Sequence, residues 1–293
     1  MRARNLILRL GAPARRAPGA RSARAAFAVL LLSAPLVHSG CGQLAQVNII
    51  STEDELAMGT QFSKEIEKEL TLWNDPVVAA YVDSLGQILA RNSDRSDIPY
   101  VIKVVDTDEV NAFAIPGGYL YVNRGLITTA ATEAELAGVM GHEIGHIVGR
   151  HSAKQITRQY GLAFVGNLLL GNDPSQWAAL TANVLATGTL LRYGREAELE
   201  ADRFGIEETY RSGIDPRGMV TFFEKLLVLD QRDPGAFEQL FSTHPPTRER
   251  IETGRSLIAS LPARQGLSSD SPRFHAIQKR LPALKKGTGE TKP

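Results

Sequence analysis

The chain has 293 residues, 43% of them hydrophobic and 22% charged, with a formal net charge of +1. That supply of apolar residues suits one globular domain with a substantial core. Seven arginines fall in the first 24 residues, which leaves −6 for the remainder and excludes the basic surplus of a nucleic-acid-binding protein.

Residues 1–40 read as a targeting segment. An arginine-rich start without acids leads into an apolar run from Ala25 to Val37, and Val37-His38-Ser39-Gly40-Cys41 closes on small residues. This stretch is similar to a bacterial lipoprotein signal, with His38 where leucine is usual. It predicts a lipid on Cys41 and attachment to a membrane through that lipid; a plain secretory signal is the alternative. Cys41 is the sole cysteine, so an internal disulfide is excluded. Residues 41–50 then form a linker.

Helical signals dominate from Ser51 onward. Ser51 to Leu70 is amphipathic, and Asp75-Pro76 is an N-cap with proline at the first helical position, ahead of Val77, Val78, Tyr81, Val82, Leu85, Ile88 and Leu89 at helical spacing. Tyr100 to Asp106 and Gly118 to Val122 are rich in β-branched and aromatic residues around a Pro116-Gly117-Gly118 turn, which predicts strands. Such strands either supply an edge for an extended peptide or merely support the helices.

Thr132 with Glu135 three residues on is a capping-box pattern, and Leu136, Val139, Met140 and Ile147 continue it at helical period. Gly138, Gly141 and Gly145 each cost this helix about 0.5–1 kcal/mol relative to alanine. The offset expected is close approach by neighbouring backbone, or by substrate and metal; Gly149 ends the helix in the plainer reading.

Within this helix lies His142-Glu143-Ile144-Gly145-His146. Residues four apart share a helical face, so both imidazoles can grip one divalent metal. A carboxylate third ligand is available in Glu198-Leu199-Glu200-Ala201-Asp202, where Glu198 and Asp202 share a face and Glu200 points elsewhere. Two histidines and one carboxylate leave a fourth position on zinc for water, whose pKa falls from about 15.7 to roughly 7, and Glu143 is placed to take and return its proton. A chance His-Glu-x-x-His on an exposed helix, and an acidic cluster that is only a solvated face, are the plain alternatives. Six histidines in all, two of them at ligand spacing, weigh against both. His151, one position off the ligand face, reads as a histidine at a helix C-terminus.

From Leu162 to Leu170 and Trp177 to Leu191 the chain is apolar, interrupted by Gly171-Asn172-Asp173-Pro174. Neither half reaches the roughly 20 residues of a membrane span, so a buried or lid-like helical pair is expected. Asp215-Pro216 starts a helix through Phe222, Phe223, Leu226 and Leu227; Pro246 to Leu257 forms another, and Pro272 to Leu284 one more before a polar tail.

His142-Glu143-x-x-His146, followed by Glu198-x-x-Ala201-Asp202 and then Ser242-Thr243-His244-Pro245, resembles metallopeptidase family forty-eight, a group of zinc peptidases, and the likeness extends over about Ser51 to Leu261. Asn111 to Val122 resembles the strand-turn-strand ahead of that family's motif helix. The resemblance implies His142, His146 and Glu198 as ligands of one Zn2+, Glu143 as catalytic base and Asp202 as the adjoining motif aspartate. It places His244 near the metal as gate, fourth ligand or transition-state contact.

The expected fold is α+β and mostly helical: a zincin-like metallopeptidase domain over 51–261 with a small β-sheet beside the motif helix, then a C-terminal helix and polar tail over 262–293. The expected function is zinc-dependent endopeptidase of the bacterial cell envelope, on the periplasmic side and with an outer-membrane lipoprotein anchor. Its implied substrates are misfolded or unassembled envelope proteins. A periplasmic chaperone or assembly factor, with structural metal and little proteolysis, is the other class.

Overall fold

A computed structural model describes residues 50–171, 173–187, 192–231 and 237–282. Cys41 and the leader lie outside the described residues. Helix α1 (Thr52–Glu69) opens on a complete capping box, in which the Ser51 hydroxyl accepts from the Asp54 N–H and the Asp54 carboxylate from the Ser51 N–H. Helix α2 (Pro76–Arg91) has Asp75 accepting from the N–H groups of Val77 and Val78.

Strands β1 (Val101–Val105), β2 (Ala112–Ile115) and β3 (Tyr119–Asn123) form one sheet in the order β1-β3-β2. β1 runs parallel to β3 with Val101 opposite Tyr119, and β2 runs antiparallel to it with Ala112 opposite Val122. Gly117 and Gly118 make the tight β2–β3 turn at φ of 80° and 88°, values that L side chains rarely adopt. β2 is an edge. The carbonyl of Asn111 accepts from the Asn123 N–H, so the alternate residues Ala112 and Ala114 direct their backbone groups off the sheet.

Helix α3 (Arg124–Thr129) follows β3 without a side-chain cap, which explains why no local signal announces it. Helix α4 (Glu133–Val148) carries the His-Glu-x-x-His string. Its N-terminus departs from the capping-box reading in one respect. Thr132 does accept from the Glu135 N–H, but the Glu135 carboxylate accepts from the Ala131 N–H at 2.7 Å and pairs with Lys225. A tertiary cation has drawn it off the N-cap.

The chain continues through α5 (His151–Leu170), α6 (Pro174–Thr187), α7 (Arg195–Arg211), α8 (Arg217–Asp230), α9 (Glu238–Thr243), α10 (Arg248–Ser260) and α11 (Pro272–Gln278). α4 is buried along almost its whole length, between α7 and α8 on one side and α2 with the sheet on the other. Phe274 and Ile277 of α11 join the same core. The described part of the apolar segment packs against α1. Val165, Leu168, Trp177 and Leu180 are buried, with Trp177 edge-on to Phe62 of α1 at 5.5 Å. Residues 188–191 lie outside the described residues, and no described helix is long and apolar enough to cross a membrane.

The α4 glycines are explained by backbone. A Cβ on Gly145 would lie 2.5 Å from the Ala201 carbonyl oxygen, and one on Gly205 of α7 would lie 2.7 Å from the His142 nitrogen. Close approach of α7 brings Glu198 and Asp202 within reach of the histidines. Gly145→Val should therefore force the helices apart, with a loss of about 3 kcal/mol or more in stability and a parallel fall in zinc bound per chain. Urea unfolding and metal analysis check it, and unchanged values would contradict the close-approach account.

Glu208, fully buried on α7, has neither carboxylate oxygen hydrogen-bonded, and burial pushes its pKa well above the usual 4.5. Folded protein keeps this proton while unfolded chain releases it, so the group's contribution to stability falls as pH rises above 4.5, by up to about 1.4 kcal/mol per pH unit. Glu208→Leu should stabilise the metal-free protein by about 2 kcal/mol at pH 7 and less at pH 4. A difference in unfolding free energy that stays constant between those two pH values would refute this.

Candidate metal centre

The five groups implied by the motifs, together with His244, are brought together in one buried site. His142, Glu143 and His146 come from α4, Glu198 and Asp202 from α7, and His244 from the turn between α9 and α10; all six are 3% exposed or less. His142 Nε2 and His146 Nε2 stand 3.0 Å apart, and each lies 3.5 Å from a Glu198 oxygen. His244 Nδ1 is 3.1 Å from Glu198 Oε1 and 3.3 Å from His142 Nε2. Each of these four residues offers one donor atom, and the four atoms lie within 4.8 Å of one another. Imidazole nitrogens facing each other at that spacing, beside a buried carboxylate, suit a divalent cation of the zinc type.

The surroundings set the tautomers. His142 Nδ1 lies 2.8 Å from Asp202 Oδ1, so its Nδ1–H is directed at the carboxylate, and Nε2 is the atom a metal would meet once it displaces the second proton. His146 Nδ1 lies 2.8 Å from His151 Nδ1, whose Nε2 is 3.1 Å from Glu200 Oε2. The order Glu200, His151, His146 engages His146 Nδ1 on the side away from the site, so Nε2 is the atom a metal there would meet. This corrects the reading of His151 as a helix-end residue. Arg150 turns the chain through a left-handed conformation at φ 54°, and the break between α4 and α5 swings His151 back under His146. Glu200 does point away from the metal ligands, as expected, and its target is His151.

Two further groups lack any obvious sequence signal. Tyr193 stacks on the His146 ring at 4.0 Å, and its hydroxyl lies 2.8 Å from Ser152 Oγ. Arg250, in the first turn of α10, donates to both Asp202 oxygens at 2.7 Å, lies 2.8 Å from Glu198 Oε2 and sits over the Phe223 ring. An arginine six positions beyond the histidine of the third motif was the available clue, but arginine on a polar helix is ordinarily solvated.

Electrostatics follow from this packing. Burial would push the Asp202 and Glu198 carboxyls up, but Arg250 outweighs it at Asp202 and the three imidazoles outweigh it at Glu198, so both are held below the carboxylate range. His142 is opposed by burial yet raised to about 9 by Asp202 and Glu198, whereas burial dominates at His146 and holds its pKa down. Glu143 is pushed up by burial. Its Oε2 accepts from the Ala114 N–H at 3.1 Å, and its Oε1 is buried with no hydrogen-bond partner, 3.5 Å from His244 Nε2.

Comparison with known proteins places this geometry. Residues 76–258 match peptidase family M48. The chain is 34% identical to the Beta-barrel assembly-enhancing protease of Escherichia coli strain K12 over 217 residues, which is 71% of this chain and 44% of that protein. It is 31% identical to Metalloprotease YcaL of the same strain over 60% of this chain and 68% of that one. The Mitochondrial metalloendopeptidase OMA1 of Schizosaccharomyces pombe is 28% identical over 81% and 70% of the two chains. The chain thus spans less than half the length of the first of these relatives.

Removing Arg250 leaves two buried carboxylates with less compensation, a loss of about 3–5 kcal/mol. Arg250→Ala should destabilise the metal-free protein by that order and the zinc-loaded protein less, since a metal held by this group would share Glu198. Thermal unfolding with and without zinc measures both, and an equal loss in the two states would contradict the assignment.

Proposed function

Because this chain belongs to peptidase family M48, we propose that it is a zinc-dependent endopeptidase that hydrolyses internal peptide bonds of unfolded or misassembled proteins. His142, His146 and Glu198 would hold the zinc; bound there, it supplies an activated water at neutral pH and polarises the substrate carbonyl. The carrying observation is the position of Glu143, one residue from a ligand histidine, with Oε1 aimed into the site and unpartnered. A buried carboxylate with a raised pKa is suited to take a proton from water and pass it to the departing amine. Asp202 and the His151–Glu200 pair keep the two imidazoles in their ligand tautomers, and Arg250 keeps Asp202 ionised.

The edge of β2 gives substrate a place. An extended segment laid along Ala112 and Ala114 would meet backbone donors and acceptors that face away from β3. At rest the Ala114 N–H is engaged by Glu143 Oε2. A substrate carbonyl accepting that N–H frees the base beside the bond to be cut, so docking and activation are coupled through one hydrogen bond.

His244 acts as a gate in this reading. Its Nδ1 completes a four-donor set, and four protein ligands close a zinc site that needs one position open for catalysis. Displacement of the turn between α9 and α10 would open it.

Support for an envelope role comes from the leader with Cys41 as lipid anchor, and from the relative whose name ties it to β-barrel assembly. The physiological site is then the periplasmic face of the outer membrane. Glu143→Gln should retain one zinc per chain and lose at least about 100-fold in casein cleavage, the scale of general acid–base catalysis. Full biological activity without cleavage would instead support the chaperone reading. His244→Ala should raise basal casein cleavage, and a loss would make His244 a transition-state contact.

A further inference from the structure

Over the sheet, next to the metal centre but distinct from it, lies an open cleft of about 470 Å³. Phe113 and Ile115 of β2 form part of its apolar floor, Asn111 immediately precedes that strand, and Gln239 of α9 also lines it. Two independent features distinguish it. Asn111 is 3% exposed, and its Oδ1 is buried without a hydrogen-bond donor; such an acceptor is costly to bury unless something supplies the donor. The rim is also acidic. Of its three carboxylates, Asp106 is neutralised by Arg124 at 3.0 Å, whereas Glu69 and Glu109 have no cationic partner among the described residues.

Strand geometry connects the cleft to the reaction. Side chains alternate along a strand, so a segment paired to the outer edge of β2 turns every second side chain toward the face that carries Phe113 and Ile115. Antiparallel pairing, the more stable arrangement per residue, runs the segment's C-terminal half from Ala114, beside Glu143, toward Asn111.

We propose that this cleft is a specificity subsite for a lysine or arginine side chain of the substrate, on the C-terminal side of the scissile bond. This deepens the endopeptidase reading and rests on it. The apolar floor takes the aliphatic stem, Asn111 Oδ1 accepts from the cationic head, and Glu69 and Glu109 supply the unbalanced charge.

The test uses full-length, zinc-loaded protein and host peptides that differ only in carrying Lys, Gln or Glu at each downstream position in turn. Binding is read by fluorescence anisotropy in the Glu143→Gln background, and cleavage in the wild type. At one downstream position the Lys peptide should bind and be cut about tenfold better than the Glu peptide, with Gln between. Glu69→Gln with Glu109→Gln, both at exposed positions, should reduce that ratio to about threefold or less, as should added salt. Asn111→Leu should remove the preference while keeping the melting temperature. Equal binding of Lys and Glu peptides at every position, or a preference that survives the double variant, overturns the subsite. Wild type that binds with the preference but cuts no peptide preserves the subsite and sinks the endopeptidase reading. Cleavage of all three peptides equally does the reverse.

Discussion

Two carboxylates buried one helical turn apart, Glu198 and Asp202, impose the main constraint on this molecule. Neither can stay ionised in a protein interior without compensation. The structure supplies it from three directions: the α4 histidines, His244 from the α9–α10 turn, and Arg250 from α10. Each compensating group sits on a different element, so the charge centre also fixes how α4, α7 and α10 are arranged. The buried charge cluster and the helix packing are in this sense one structure.

The glycines belong to the same constraint. Distances of 2.7–3.5 Å between side chains on adjacent helices require backbones that nearly touch, and a methyl group at Gly145 or Gly205 would already collide with the opposite chain. The helix propensity lost at these positions is a local cost set against a tertiary gain. That balance explains why α4 stays helical despite its glycines, tertiary packing offsetting the propensity lost there.

Much of this was legible in the sequence because it is local. The N-caps at Asp75 and Thr132, the β2–β3 turn and the helix that carries His142 and His146 all rest on signals within a few residues. The clustering of these side chains was legible for a different reason: a helix converts the spacing of His142 and His146, and of Glu198 and Asp202, directly into shared faces. The features that sequence did not show depend on contacts between distant segments. Arg250 reaches Asp202 across 48 residues, Lys225 pulls Glu135 away from its cap, and His151 is redirected by a left-handed backbone turn at Arg150, a conformation that arginine seldom adopts. Helix α9 is six residues long and starts without a side-chain cap, so it offered no period to read.

The resting state follows from hydrogen-bond accounting at the centre. Glu143 has two oxygens and the Ala114 N–H serves one of them, leaving Oε1 facing His244 Nε2, which is also without a hydrogen-bond partner. These two buried polar atoms face each other at 3.5 Å, within ion-pair distance but without hydrogen-bond geometry. The edge strand and the α9–α10 turn meet there. A group that supplies a donor to Glu143 and an acceptor to His244, as a water molecule does, relieves both at once, and a polypeptide on the β2 edge competes for the Ala114 N–H. Glu143 Oε2 accepts that same N–H, so the proposed docking of substrate and the readiness of the base meet at one carboxylate.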